Sequence, residues 1–245
     1  EIPQYRRIKK IALKNRFNIK TISNNKSNLE IVSHEYRNGN QMVKIKYNKN
    51  IYKFETELIG KIQIKNILMA MIAATKSKLS FRKIINTIKN LKPASGRLEQ
   101  IGIIKNNSKV ILDYAHTPDA LETSLKSLKD QFKNSKISIV FGCGGDRDKA
   151  KRPMMGKIAN KYCDRVYLTD DNPRYENPIK IRNSIKKNIN RSKINEIPNR
   201  ANAINKAIFD LKTGDILIVA GKGHETTQEY KKIKKLFSDQ QQILK

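Results

Sequence analysis

The fold is indicated by the stretch Ile216-Leu217-Ile218-Val219-Ala220-Gly221-Lys222-Gly223-His224-Glu225. Its first five residues are all apolar, which predicts a strand that is buried on both faces, as in a parallel sheet. Two glycines then interrupt the strand, with a lysine between them and a glutamate shortly after. The stretch therefore brings backbone groups, a cation and a carboxylate to the carboxyl end of a strand, where open α/β sheets bind their ligands.

A second stretch repeats this pattern of a short apolar strand followed by a charged turn. Residues 166–169 are apolar except for the last, and Asp170-Asp171-Asn172-Pro173-Arg174 follows them. Proline stiffens the turn, and the guanidinium of Arg174 can hold a carboxylate by two parallel hydrogen bonds. The two stretches together predict a pocket for a zwitterion. Taken alone, Asp-Asn-Pro is also a common turn former, so by itself the segment fits a plain strand-to-helix connection whose arginine is solvated.

Short strands and amphipathic helices alternate from residue 110 onward. This order predicts an α/β fold with a mostly parallel, Rossmann-like sheet and helices on both faces. Thr117 and Pro118 are suited to the start of the first helix. The segment 229–237 is expected to add a hairpin edge before a last short helix. The predicted strands are 110–112, 137–141, 166–169, 194–197 and 216–220, and the predicted helices are 118–130, one from about 153, 178–189 and 200–211.

The first part of the chain has a different pattern. Residues 1–59 alternate weakly between polar and apolar positions, which predicts a β-rich segment with strands at 42–47 and 51–58. Helices are predicted at 64–76 and at 81–91, the second capped by Ser80. Proline and glycine punctuate residues 92–96, so we place a domain boundary there, between residues 1–95 and 96–245.

Composition limits the classes of function. The chain has 51 Lys and Arg against 22 Asp and Glu, a formal charge of +29, which by itself suggests a polyanion partner. The lysines are spread over almost every segment, aromatic residues make up 7% and tryptophan is absent. A single-stranded nucleic-acid binder combines a basic groove with aromatic stacking platforms, so we expect no specific nucleic-acid partner. A basic remnant that binds polyanions is kept as an alternative.

The cysteines and the length of the apolar runs indicate the cellular compartment. Cys143 and Cys163 lack the spacing of metal ligands, so neither a disulfide framework nor a zinc site is expected. No apolar run approaches the roughly 18 residues of a membrane span, and the first residues lack the regions of a signal peptide. We expect a monomeric, cytoplasmic protein without membrane contact.

Five motifs, in order and spacing, resemble those of the Mur ligases. They are Gly96-Arg97-Leu98-Glu99, Asp113-Tyr114-Ala115-His116-Thr117-Pro118, Phe141-Gly142-Cys143-Gly144-Gly145-Asp146-Arg147-Asp148, Asp171-Asn172-Pro173-Arg174 and Gly221-Lys222-Gly223-His224-Glu225. Several motifs spread over about 130 residues are a far more specific signal than a single glycine-rich loop.

The resemblance implies an ATP-dependent amide synthesis of peptidoglycan precursors. Within the family, the motifs are similar to those of members that add meso-diaminopimelate to UDP-N-acetylmuramoyl-L-alanyl-D-glutamate. The implied reaction activates the D-glutamate carboxylate as an acyl phosphate, which an amine of diaminopimelate then attacks. The implied cofactors are ATP and Mg²⁺, with the protein holding reactants together and stabilising charge.

The resemblance also implies contacts to diaminopimelate, which differs from lysine by a second carboxylate. A buried arginine left unpaired by lysine would reject it, so Arg174 argues against the alternative of a lysine-adding relative. Glu225 is expected to pair with the distal ammonium, and the Gly221 carbonyl to accept another of its protons. The implied contacts are Arg147, Asp171, Asn172, Pro173, Arg174, Gly221 and Glu225.

On the nucleotide side the resemblance implies four residues: Arg97 for phosphate charge, Asp113 for the ribose hydroxyls, His116 nearby and Asn66 near the adenine. Asp113 could instead cap a helix, and Arg97 could be a surface linker residue. No residue of this chain is assigned to metal binding.

The chain departs from the family pattern in three respects. It contains no Gly-x-x-Gly-Lys-Ser/Thr sequence, no UDP-sugar domain and no counterpart of the carbamylated lysine that helps to hold Mg²⁺. It resembles the last part of a central ATPase domain joined to an amino-acid-binding domain. We therefore expect the missing parts upstream, and the isolated chain to be inactive.

Overall fold

The computed structural model describes residues 3–104 and 107–245, except for the side chain of Ile103. These residues form two compact units. The first contains residues 3–57 and Lys61–Leu91, and the second contains Leu58–Gly60 and Lys92–Lys245. Within the described ranges, no helix combines the length and apolar character needed to cross a bilayer.

The first unit combines a four-stranded sheet with three helices. The strand order is β1-β2-β3-β4, with β1 parallel to β2 and the other neighbours antiparallel. The helices α2 and α3 bury Ile64, Leu68 and Ile84 among others. The elements are α1 (Tyr5–Lys14), β1 (Ile22–Ser23), β2 (Leu29–Arg37), β3 (Asn40–Tyr47), β4 (Asn50–Thr56), α2 (Lys61–Ala74) and α3 (Phe81–Asn86).

The prediction of a β-rich segment is wrong at its start, because Tyr5–Lys14 is helical. Tyr5, Ile8 and Ala12 recur at intervals of three and four residues, which is the period of a helix rather than of a strand. The two predicted helices are confirmed with shifted ends. A 3₁₀ turn follows each, at Thr75–Ser77 and Ile88–Asn90. Ser80 caps α3 as predicted, since its Oγ accepts from the Lys83 amide at 3.3 Å.

The second unit is built on a six-stranded sheet in the order β5-β6-β10-β7-β8-β9. All neighbours in this sheet are parallel except β5 and β6, so the predicted mostly parallel α/β fold is confirmed. The elements are β5 (Glu99–Ile103), β6 (Lys109–Asp113), α4 (Pro118–Gln131), β7 (Ile137–Phe141), α5 (Lys151–Tyr162), β8 (Arg165–Leu168), α6 (Pro178–Lys186), β9 (Ile194–Glu196), α7 (Arg200–Phe209), β10 (Ile216–Ala220), β11 (Thr227–Tyr230), β12 (Ile233–Leu236) and α8 (Asp239–Ile243).

Helices cover both faces of this sheet. Strand β10 lies between β6 and β7, and successive side chains point to opposite faces. Ile216 and Ile218 pack with residues of α4, α5 and α6, whereas Leu217 and Val219 pack with residues of α7. This double burial explains why the strand is a continuous apolar run.

The hairpin after β10 is not an edge of the main sheet, contrary to prediction. Strands β11 and β12 form a separate two-stranded ribbon. The ribbon is attached to the turn after β8, where the Arg174 amide donates to Glu229 O at 3.2 Å and the Lys231 amide donates to Arg174 O at 2.7 Å. Helix α8 is held by a fully buried ion pair, in which Arg200 Nε and Nη2 contact the Asp239 carboxylate at 2.8 and 2.7 Å.

Candidate functional site

The candidate site lies at the carboxyl ends of β6, β7, β8 and β10, which meet at one edge because these strands are parallel. The turns after β7 and β8 interlock there. The Gly145 amide donates to Asn172 O at 2.9 Å, and a Cβ on Gly145 would lie 1.8 Å from Pro173 O. A Cβ on Gly142 would lie 2.3 Å from Thr169 O. The glycines are therefore required so that the second turn can approach the first.

The side chain of Arg174 is held in place by Gly145 and Glu229. Its backbone is left-handed, with φ of 51°. Nη1 donates to Gly145 O at 2.8 Å, and Nε lies 3.3 Å from Glu229 Oε2. Nη2 makes no hydrogen bond within the described residues. The guanidinium is thus oriented by the chain itself, and one of its nitrogens keeps its donors for a ligand.

Asn172 joins the two charged stretches. Its Oδ1 accepts from Lys222 Nζ at 3.1 Å and from the Glu229 amide at 3.0 Å, while its Nδ2 donates to Glu225 Oε2 at 3.3 Å. Arg174 is paired with Glu229, and Glu225 is paired with Lys222 at 3.0 Å. The predicted cation and anion are therefore linked through Asn172 and Glu229.

Lys222 and Asp171 form the buried floor beneath this network. The Lys222 side chain is 0% exposed, and its Nζ lies 3.9 Å from Asp171 Oδ1. Burial raises the pKa of the Asp171 carboxyl above its ordinary value, against the opposing effect of Arg200 and Lys222. Gly221, with φ of 111°, approaches so closely that its Cβ would lie 3.0 Å from Asp171 Oδ2.

Arg147 projects from the turn after β7 and is exposed, with Nη1 donating to the carbonyl of Asp146 at 3.1 Å. This turn is supported by a second arginine, Arg152. Its Nη1 and Nη2 grip the Glu176 carboxylate at 3.0 and 2.8 Å, and Nη2 also donates to Gly144 O at 3.2 Å. The hydrogen bonds from Arg152 lower the pKa of Glu176 to about 2.

A cluster of aromatic and basic side chains lies at the ends of β6 and β10. The guanidinium carbon of Arg97 lies 4.6 Å from the centroid of the Tyr114 ring. The rings of His116 and His224 lie 4.7 and 5.3 Å from the same ring. The backbone is close-packed here, since a Cβ on Gly96 would lie 2.6 Å from the His224 amide. The structure therefore places both Arg97 and His116 beside Tyr114, and their role towards a nucleotide stays a prediction.

Asp113 is fully engaged by the chain. Oδ1 accepts from the Leu98 and Tyr114 amides at 3.2 and 3.0 Å, and Oδ2 accepts from the Ser124 hydroxyl. Burial raises its pKa, which these hydrogen bonds and Arg97 oppose. Its carboxylate thus ties the turn at residues 96–98 to the end of β6. Helix α4 is capped by Thr117, whose Oγ accepts from the Ala120 amide at 3.3 Å.

Asn66 lies on α2 in the first unit. Its side chain is exposed, and Nδ2 donates to Gln63 Oε1 at 3.2 Å. Its role near an adenine stays a prediction.

Among the described residues, no group of three or more His, Cys, Asp or Glu side chains is placed to hold a metal ion.

Comparison with known proteins identifies the family. The family model described as "Mur ligase, glutamate ligase domain" matches residues 96–223, which is more than half of the chain. The chain belongs to the Mur ligase family. The matched residues run from the turn at Gly96 to the second glycine after β10 and so include most of the candidate site.

A curated relative and a solved structure similar to this chain share one name. A protein of Rickettsia conorii named UDP-N-acetylmuramoyl-L-alanyl-D-glutamate--2,6-diaminopimelate ligase is 44% identical over 213 residues, which cover 86% of this chain and 44% of that protein. A solved structure of a ligase of the same name is 32% identical, with a TM-score of 0.74, and the match covers 99% of this chain and 50% of the other. The chain thus spans about half the length of its Mur ligase relatives.

More distant Mur ligases share the fold. The MurF ligase of Thermotoga maritima, solved in complex with ADP, is 16% identical with a TM-score of 0.64. The match covers 86% of this chain and 47% of that one. At this identity the likeness concerns the fold alone.

Several residues of the network were not among the predicted site residues. Lys222 stands between two glycines directly after an apolar strand, and this position could have marked it as part of the site. Glu229, Arg152 and Glu176 carried no comparable signal, because Glu229 is 55 residues from its ion-pair partner Arg174 and Arg152 is 24 residues from Glu176.

Proposed function

We propose that this chain is part of a Mur ligase that adds meso-diaminopimelate to UDP-N-acetylmuramoyl-L-alanyl-D-glutamate, with ATP, in peptidoglycan precursor synthesis. Family membership and the name shared by relatives about 44% identical support this assignment. The chain spans about half of those relatives, so the complete reaction would also use residues outside it.

The observation that carries the proposal is the network of opposite charges at one sheet edge. Arg174 lies in the turn after β8, and Glu225 lies in the turn after β10. Glu225 accepts a hydrogen bond from Asn172, and Arg174 is paired with Glu229, whose backbone amide donates to Asn172. Diaminopimelate carries a carboxylate and an ammonium at its distal centre. A guanidinium and a carboxylate on one network are suited to such a pair of charges.

The remaining predicted contacts fit the same ligand. Arg147 is exposed at the rim and can meet a second carboxylate, while Asp171, Pro173 and Gly221 shape the floor. We propose these as the diaminopimelate site of an amino-acid-binding domain at residues 96–245.

We further propose that residues 1–95 belong to a central ATP-binding domain. Arg97 and His116 are exposed beside Tyr114 and could contact phosphate groups, since a cation held over an aromatic ring keeps its outer donors free. Asp113 is proposed to hold the turn at residues 96–98, and its carboxylate is proposed to accept a further hydrogen bond from a ribose hydroxyl. Asn66 is proposed for the adenine. Mg²⁺ is proposed to arrive with the nucleotide, since the described residues offer it no cage.

Titration calorimetry on the chain tests this proposal. We expect meso-diaminopimelate to bind more tightly than L-lysine, and the difference to collapse in Arg174→Ala. One charged hydrogen bond contributes about 1.5–3 kcal/mol, so the preference should exceed about tenfold. Arg191→Ala is the matched control. Arg191 is exposed and precedes the amino end of β9, whereas the candidate site lies at the carboxyl ends of the strands.

The alternatives predict different outcomes. A lysine-adding relative would bind lysine at least as tightly as diaminopimelate. A basic remnant would bind neither amino acid and would associate with random DNA in a salt-dependent manner. Either result would refute the proposed substrate.

A further inference from the structure

We infer that Lys222 is a positioning residue of the amino-acid site, whose buried ammonium orients Asn172 and Glu225 so that Glu225 receives the distal ammonium of the ligand. The inference rests on the proposed function and goes beyond it, because Lys222 is not among the proposed ligand contacts.

Burial separates Lys222 from any ligand. Its side chain is 0% exposed, so it acts through the groups around it. An ammonium has three donors, and three acceptors surround this one. They are Glu225 Oε2 at 3.0 Å, Asn172 Oδ1 at 3.1 Å and, at a longer distance, Asp171 Oδ1 at 3.9 Å. All three belong to residues proposed to form the site.

Lys222 and the backbone amide of Glu229 together fix which way the Asn172 amide faces. The Lys222 ammonium and the Glu229 amide are both donors only, and both contact the same atom of Asn172. That atom must therefore be the oxygen. The Nδ2 group is consequently directed at Glu225, to which it donates at 3.3 Å.

Lys222 also determines which oxygen of Glu225 is available. Oε2 accepts from both Lys222 and Asn172, whereas Oε1 makes no hydrogen bond within residues 3–104 and 107–245. The Glu225 side chain is 34% exposed. Because Lys222 and Asn172 hold Oε2, Oε1 points in a fixed direction and can accept a hydrogen bond from a cationic group.

A neutral side chain at position 222 would remove the charged donor from both residues. Asn172 Oδ1 would keep the Glu229 amide as its donor, whereas Glu225 would lose the charged partner that holds its carboxylate. Affinity for the ammonium of the ligand should fall by at least about tenfold, the effect of losing one charge-assisted hydrogen bond. Contacts to the distal carboxylate should change little, because Arg174 is oriented by Gly145 and Glu229.

Calorimetry with two ligands tests this inference. The ligands are meso-diaminopimelate and 2-aminopimelate, which keeps both carboxylates but lacks the distal amine. In Lys222→Met we expect at least tenfold weaker binding of meso-diaminopimelate and less than about threefold change for 2-aminopimelate. Lys222→Gln, which keeps a donor without charge, should show a smaller loss in the same direction. Arg174→Ala should weaken both ligands.

Two outcomes would overturn the inference. Equal loss of both ligands in Lys222→Met would mean a purely structural role. Unchanged or tighter binding of meso-diaminopimelate would mean that Lys222 does not orient Glu225. Both differ from failure of the proposed function, in which the unaltered chain would not bind meso-diaminopimelate at all.

NMR of the unaltered chain tests the inference without depending on whether a variant folds. The ammonium protons of a buried, hydrogen-bonded lysine exchange slowly, so ¹⁵N NMR should resolve the Lys222 ammonium from those of exposed lysines. Meso-diaminopimelate should shift this resonance, and 2-aminopimelate should shift it less. Absence of a protected ammonium, or equal shifts with both ligands, would contradict the inference.

Discussion

The guanidinium of Arg174 is already paired with a carboxylate of its own chain, because Nε lies 3.3 Å from Glu229 Oε2. Both side chains are partly exposed, at 21% and 26%. Glu229 follows Arg174 by 55 residues and reaches it because β11 is hydrogen-bonded to the backbone of Arg174. A ligand carboxylate at Arg174 therefore meets a neighbour of like charge.

Replacing Glu229 by Gln should increase the affinity for meso-diaminopimelate. The change keeps the shape of the side chain and removes the competing charge, and partly exposed pairs of this kind are worth up to about 1 kcal/mol. We expect binding about two- to fivefold tighter in calorimetry at low salt, with the gain reduced in 0.5 M salt. Glu122→Gln, which alters the exposed pair with Lys161, is the control. Weaker binding in Glu229→Gln would mean that Glu229 mainly orients the arginine.

Gly145→Ala should destabilise the chain and weaken ligand binding. The new Cβ would lie 1.8 Å from Pro173 O, so the interlocked turns must move apart. We expect a loss of about 1–3 kcal/mol in the free energy of unfolding, measured by urea titration. Gly102→Ala is the control, because a Cβ there would have no atom within 4 Å among the described residues other than its chain neighbours, and it should change stability by less than about 1 kcal/mol. Equal effects of the two substitutions would show that the turns are not tightly packed.

Breaking the Arg200–Asp239 pair should lower the free energy of unfolding more than breaking an exposed pair. Both side chains are 0% exposed, and Arg200→Met would leave the Asp239 carboxylate buried without a counter-charge. We expect the free energy of unfolding to fall by about 3–5 kcal/mol, and the double variant Arg200→Met/Asp239→Leu to recover part of it. Lys161→Met, at an exposed pair, should lower the free energy of unfolding far less. A double variant no more stable than Arg200→Met would contradict this account.

The contribution of Glu176 to stability should disappear in acid. Its pKa is lowered from 4.5 to about 2 in the folded chain, mainly by hydrogen bonds from Arg152. The unfolded chain therefore takes up the proton first as the pH falls, so this stabilisation is complete above about pH 4.5 and is lost towards pH 2. Urea unfolding at several pH values should show the difference between the unaltered chain and Glu176→Gln narrowing over this window. A difference that does not depend on pH would exclude the Arg152–Glu176 pair as its source.

Most of the second unit could be predicted from local pattern. The apolar run 137–141 and the cap at Thr117 appear in the structure where the sequence indicated them. The helix at Tyr5–Lys14 has the apolar period of a helix, but the period is confined to ten residues and was merged with the alternation assigned to residues 1–59. The hairpin was placed wrongly because strand pattern predicts a strand without indicating which sheet it joins.

The amino-acid sequence was sufficient to place the charged turns at one sheet edge, because parallel strands end on the same side and each of these turns directly follows a strand. It could not indicate that Lys222 would be buried, that Arg174 would pair with Glu229, or that Asn172 would join the two. Those contacts connect residues about 50 or more positions apart. They depend on how the ribbon β11–β12 and the turns after β7, β8 and β10 pack together, which no local periodicity encodes.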